Sequence, residues 1–182
     1  MNGENQVIFS ATKLKGAYII EPELKIDERG FFARAWCADE FKEHGLNPKL
    51  VQANIAFNKS KGTLRGMHYQ KEPYWEVKLV RCTRGAIYDV ILDLRPDSET
   101  YQKWLGIELN EVNHTMLYIP EGFAHGYLTL EDNTEVFYQV SEFYHPEHEA
   151  GIRWNDPVFG IEWPIADKLI ISTKDSTHLR YK

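Results

Sequence analysis

The stretch Leu79-Val-Arg-Cys-Thr-Arg84, followed by Gly85-Ala-Ile-Tyr-Asp-Val-Ile-Leu-Asp-Leu94, decides the fold. Read with a period of two, it is two strands around a glycine-bearing turn. Outward from it, residues 104–109, 115–119, 126–130 and 135–140 continue the series of short strands separated by turn residues. That spacing predicts an all-β sandwich or barrel. The only good short helix is Ala38-Asp-Glu-Phe-Lys-Glu-His44, with Gly45 placed to close it as the C′ residue. A second short helix is expected in the tail, where Trp163-Pro-Ile interrupts the strand pattern. Between His145 and Trp163 the breakers Pro146, Gly151, Pro157 and Gly160 predict ordered loops wrapped on the outside of the barrel.

The chain has 182 residues, enough for one good core and too few for two ordinary ones, so a single domain over 1–182 is expected. Hydrophobic residues at 43% and charged residues at 26% exclude a disordered or fibrous chain. No apolar run approaches the roughly 20 residues that span a bilayer, and the polar start, residues 1–7, lacks the core of a signal peptide. A cytoplasmic protein with no membrane partner is the expectation. The formal charge of −6 argues against a nucleic-acid partner, which requires a basic face, but leaves room for a local basic pocket. Cys37 and Cys82 are too few and too far apart for a disulfide framework or zinc knuckle and read as plain thiols. Trp75, Trp104, Trp154 and Trp163 read as packing residues.

Chemistry concentrates in Gly62-Thr-Leu-Arg-Gly-Met-His-Tyr-Gln70, which sets Arg65 and His68 three residues apart in a strand-like segment. Lys78 follows ten residues after His68. An even separation lets both project into one interior if the Pro73-Tyr-Trp turn keeps register. Farther on, Pro120-Glu-Gly-Phe-Ala-His125-Gly supplies a second histidine after a tight turn. A strand-borne histidine with cations around it suits proton transfer on an anionic, phosphorylated small molecule. His125 also fits the second motif of metal-binding cupins, but their first motif would offer His-x-His where this chain has His68-Tyr-Gln70. The missing imidazole argues against a tight metal site.

Taken together, Asp27-Glu-Arg-Gly-Phe-Phe32, Gln52-Ala-Asn54, 62–70, Lys78-Leu-Val, Asp89-Val-Ile-Leu-Asp-Leu-Arg95, 118–126, Tyr138 with Tyr144, Trp154-Asn-Asp-Pro157 and Ser172-Thr-Lys-Asp175 resemble the nucleotide-sugar 3,5-epimerases, the dTDP-4-dehydrorhamnose 3,5-epimerase family. The order and spacing of these landmarks over nearly the whole chain carry the resemblance. It implies a cupin-like jelly roll, a homodimer whose N-terminal segment contributes to its partner, and cofactor-free epimerisation of a nucleotide-linked 4-keto-6-deoxyhexose at C3 and C5. Carried onto matching positions, it implies His68 as general base, Asp175 as its paired carboxylate, Tyr138 as general acid and Lys78 as the cation near the keto oxygen. Arg29, Gln52, Asn54, Arg65, His125, Tyr144, Glu149 and Lys174 fall at positions that contact nucleotide, diphosphate or sugar.

Two positions depart from the family pattern. Arg34, assigned to a ligand-contacting N-terminal strand, stands where many members carry glutamate, and Ala56 stands where serine is common. The first departure bears on which sugar or base is taken. Other readings on the same scaffold are a C3-only epimerase, a 3,4-ketoisomerase, a non-catalytic sugar-nucleotide binder and a metal-dependent cupin enzyme.

Overall fold

A computed structural model describes residues 6–181, leaving residues 1–5 of the polar start and residue 182 outside the description. Strands β1 (Val7–Ala11), β2 (Tyr18–Pro22), β3 (Lys25–Asp27) and β4 (Gly30–Phe32) precede helix α1 (Ala38–Glu43). Then come β5 (Gln52–Asn58), β6 (Thr63–Gln70), β7 (Lys78–Arg84), β8 (Ala86–Asp93), β9 (Trp104–Asn110), β10 (Met116–Ile119), β11 (Phe123–Thr129) and β12 (Thr134–Val140). A 3-10 turn (Pro146–His148), β13 (Glu149–Gly151), β14 (Ile170–Ile171) and α2 (Thr173–Ser176) complete the described chain.

One six-stranded sheet runs β1-β2-β10-β7-β12-β5, and the other runs β13-β6-β11-β8-β9 with β14 added alongside β6. The sandwich or barrel expected from the strand spacing, and the jelly roll implied by the resemblance, is this pair of facing sheets. Its inner core takes alternate residues from both: Val80, Cys82, Leu117 and Val136 from one, Ile87, Ile91, Leu109 and Tyr127 from the other. Strand alternation is plainest in β5, where Ile55 and Phe57 face out while Ala56 packs on the core. The Gly85 turn between β7 and β8 has φ +72°, and a Cβ there would meet the Thr134 hydroxyl at 2.6 Å, so glycine is required. Burial pushes the Cys82 thiol up to about 11, consistent with an inert core thiol.

Helix α1 begins with Asp39 and Glu40 in its first turn, buries Phe41 and stops at Gly45 (φ +70°). Gly45 N donates to Lys42 O, and Leu46 N to Phe41 O, both at 2.9 Å, which is the Schellman closure. Phe41 joins Val7, Ile20, Leu79 and Met116 in a second cluster. A third cluster lies between β6, β8 and β11 and the segment after β13, with Met67, Val90, Leu92 and Ala124 packed against Ile152 and Phe159. The expected wrapping by 145–163 is therefore present, although it carries one short strand that the breakers hid. Arg34 lies between β4 and α1 and not in a strand, and its guanidinium pairs with Glu40 at 2.6 Å. Among the described residues no helix is long and apolar enough to cross a membrane.

Candidate active site

The site begins with an irregularity in β6. His125 of β11 pairs with His68, whereas Tyr127 pairs with Arg65, so three steps on one strand oppose two on the other. This is a β-bulge, and it breaks the simple alternation that would put Arg65 and His68 on opposite faces. Both side chains consequently border one cavity. Gly66 makes the bulge possible: its φ is +124°, and a Cβ would lie 2.5 Å from Gly126 Cα. The re-aimed Gly66 N–H donates to Asp175 Oδ2 at 3.3 Å.

Asp175 arrives from the far end of the chain. Ile170 and Ile171 of β14 pair in parallel with Thr63 and Leu64, laying the tail beside β6. Ser172 then caps α2, its Oγ accepting from Asp175 N at 3.0 Å, and the carboxylate meets His68 Nε2 at 2.7 Å. Burial alone would raise the Asp175 carboxyl, but His68, Gly66 and Ser172 hold it below the ordinary carboxylate range. Burial lowers His68 below the usual histidine value; the Asp175 hydrogen bond and charge pull the other way, and Lys78 adds to the lowering. The pair rests as a neutral imidazole on an ionised carboxylate. With Nε2–H donated to Asp175, the nitrogen left with a free lone pair is Nδ1.

The opposite wall comes from the other sheet. Lys78 of β7, Tyr138 and Val140 of β12, and Gln52 and Asn54 of β5 border, with His68 and Glu149, a cavity of about 410 Å³. Register explains the grouping: Tyr138 pairs with Asn54 and Val140 with Gln52, so these side chains share the inward face. A second cavity of about 390 Å³ lies on the other side of His68 and is bordered by Arg65, Lys174 and Asp175. At the rim the Tyr144 hydroxyl donates to Glu149 Oε2 at 2.7 Å, and Lys174 Nζ pairs with the same carboxylate. Arg65 is steadied from behind, its Nε donating to Asn58 Oδ1 at 2.8 Å.

Ten of the twelve expected site residues thus border two adjoining cavities that meet at His68. Arg29 does not. It sits in the β3–β4 hairpin with its side chain 84% exposed, paired with Asp27, away from both cavities of its own chain. His125 is the other residue outside them. It is buried, and its Nε2 meets Asp89 Oδ1 at 2.7 Å, so its ring is engaged inside the sheet and borders neither cavity.

Three contributors escaped the sequence reading. Glu76 pairs with Lys78 at 3.1 Å, both side chains nearly buried, so the lysine enters the cavity partly neutralised. Gln70 donates to the carbonyls of Tyr74 and Phe143 and accepts from His145 N, tying the 71–77 turn and the rim loop to β6. His178 lies beside Asp175, its Nε2 3.7 Å from Oδ1. Glu76 could have been found as the alternate position preceding Lys78; the other two are contacts between distant segments.

The model of the family described as dTDP-4-dehydrorhamnose 3,5-epimerase matches residues 11–182. The relative of that name from Methanothermobacter thermautotrophicus is 48% identical over 169 residues, covering 92% of this chain and 90% of its own. The crystal structure of the Bacillus anthracis dTDP-4-dehydrorhamnose 3,5-epimerase with TDP and PPi bound superposes with a TM-score of 0.93 at 39% identity, covering 97% of this chain and 100% of that one. The Legionella pneumophila dTDP-6-deoxy-D-glucose-3,5-epimerase in complex with dTDP-4-keto-L-rhamnose gives 0.89 at 36% identity, covering 95% and 92%. With matches of this extent over nearly all of its length, the chain belongs to the dTDP-4-dehydrorhamnose 3,5-epimerase family.

Proposed function

We propose that this enzyme, an isomerase, inverts C3 and C5 of dTDP-4-dehydro-6-deoxy-D-glucose by proton transfer through an enolate. The observation that carries the reading is one cavity bordered by a carboxylate-oriented imidazole, a lysine and a phenol drawn from facing sheets. The substrate's C4 carbonyl acidifies the C3 and C5 protons because the resulting charge spreads onto oxygen. His68 accepts a proton on its free nitrogen, and Asp175 stabilises the imidazolium that forms, as the aspartate of a catalytic triad does. Lys78 faces the charge building on the C4 oxygen, a preorganised electrostatic contribution. Tyr138 returns a proton to the opposite face, since an acid and a base on one side would only restore the starting configuration.

Gln52, Asn54, Tyr144 and Glu149 hold the sugar, and Arg65 and Lys174 take diphosphate, whose geometry suits a guanidinium. Catalysis needs no cofactor in this scheme. His125 supports the wall next to His68. Arg29 reaches the cavity of a second copy: the hairpin that carries it also exposes Ile26 at 77% and Phe32 at 70%, apolar surface that a homodimer would cover. The enzyme meets its soluble substrate in the cytoplasm.

The test is incubation with dTDP-4-dehydro-6-deoxy-D-glucose in deuterium oxide, read by proton NMR. The reading expects deuterium at both C3 and C5 and the L-lyxo product. Exchange confined to C3 would make it a C3-only epimerase, and binding without exchange would make it a non-catalytic binder.

A further inference from the structure

We propose that His68, Asp175 and His178 form a latent transition-metal site, and that a zinc ion bound there switches the enzyme off. Among the described residues this is a group of three donors, with ligating atoms within 4.8 Å of one another. His68 Nε2 and His178 Nε2 both approach the same oxygen, Asp175 Oδ1, at 2.7 and 3.7 Å. Two imidazoles and one carboxylate, with further positions open to solvent from the adjoining cavity, suit zinc or cobalt. Zinc–ligand bonds of about 2.0–2.2 Å put tetrahedral donors on the order of 3.3 Å apart. The His68–Asp175 pair must open by about half an ångström, and the His178 ring must swing inward to close the widest pair by about an ångström or more.

A second observation points the same way. His178 Nε2 is buried and has no hydrogen-bond partner among the described residues, a costly condition for a polar atom unless something else satisfies it. Its ring packs where a Cβ on residue 151 would lie, 2.2 Å from Nε2, so Gly151 of β13 leaves the space it occupies. The buried His125–Asp89 pair serves as an internal contrast: it has the same 2.7 Å contact but no third donor among the described residues.

The inhibition follows from the tautomer. At rest, His68 carries its hydrogen on Nε2, donated to Asp175. Coordination takes the Nε2 lone pair, so that proton relocates to Nδ1, and neutral His68 releases no net proton. The nitrogen that would accept the substrate proton is then occupied. Metal binding and the loss of the base are one event. This consequence rests on His68 being the base; the ion site itself does not.

The experiment adds Co²⁺, then Zn²⁺, to the purified full-length protein in chelator-free buffer, reading the cobalt visible spectrum and, separately, deuterium exchange. One ion per chain is expected, with low-coordinate cobalt bands and no thiolate charge-transfer band. Zinc should abolish exchange, and EDTA should restore it. His178→Gln should weaken zinc inhibition at least ~100-fold, measured against its own zinc-free exchange rate. His68→Asn should weaken cobalt binding whatever the activity, which keeps the site testable should His178→Gln fold poorly. The proposal is overturned if cobalt shows no stoichiometric site, if a thiolate band reveals Cys37 or Cys82 as the ligand, or if His178→Gln stays as zinc-sensitive as wild type. A protein that binds cobalt this way yet never exchanges deuterium would retain the site and lose the proposed epimerisation.

Discussion

Two imidazole–carboxylate pairs sit side by side in this barrel, and they differ in almost nothing but access. His68–Asp175 and His125–Asp89 both join Nε2 to Oδ1 at 2.7 Å, and the two histidines are cross-strand partners. Their side chains are 32% and 5% exposed in the first pair, 9% and 0% in the second. The first opens onto two cavities; the second is sealed within the sheet. Pairing orients an imidazole, but only a cavity gives it something to do. The carboxylates differ too. Asp175 Oδ2 receives the Gly66 N–H, whereas Asp89 Oδ2 has no partner among the described residues, so the sealed pair depends on its one contact there.

The largest separation between the pairs should come from the carboxylates. Asp175→Asn should lower the exchange rate about 10³-fold, some 4 kcal/mol of barrier, because His68 loses its orienting partner. The same variant should move the acid limb of the rate profile to lower pH. Asp175 raises the His68 pKa, so its removal leaves only the Glu149 charge to oppose the lowering by burial. His125→Asn should act on stability instead: breaking the sealed pair leaves a buried carboxyl without its partner and costs about 2 kcal/mol in denaturant unfolding. Its exchange rate per folded molecule should stay within about tenfold of wild type. A much larger loss would return His125 to the substrate.

In the wild type, the base must be neutral to act, and its pKa lies below the usual histidine value of 6.5. The rate should therefore rise with pH to an inflection below 6.5, not above it, and be level by neutrality. The smallest effect belongs to the rim. Lys174, more than half exposed in its pair with Glu149, should contribute less than about 1 kcal/mol to stability, so Lys174→Ala should leave the unfolding midpoint nearly unchanged and chiefly raise KM.

How much of this could be read in the chain follows the same division between local and distant. The two strands around the Gly85 turn, the helix ended by Gly45 and the even spacing of His68 and Lys78 are local patterns, and each appears in the structure, the two strands passing from one sheet to the other. The β5 alternation was equally local but muted, because its outward residues are the apolar Ile55 and Phe57. They mimic a core face. Arg65 and His68 share a cavity only through a bulge that no periodicity announces, since it depends on Gly66 fitting against Gly126. Asp175 reaches His68 through two residues of parallel pairing, a contact over a hundred residues long in sequence. The resemblance supplied that partner where the pattern could not. His125 shows the reverse: its motif was legible, but its burial beside Asp89 was not.

The central claim is that an imidazole removes the proton on one face and a phenol returns it on the other. The most direct measurement follows deuterium entry and product configuration together for His68→Asn and Tyr138→Phe. His68→Asn should stop exchange at both carbons, while Tyr138→Phe should still exchange but return mostly uninverted sugar. Full exchange in His68→Asn, or unimpaired inversion in Tyr138→Phe, would contradict it.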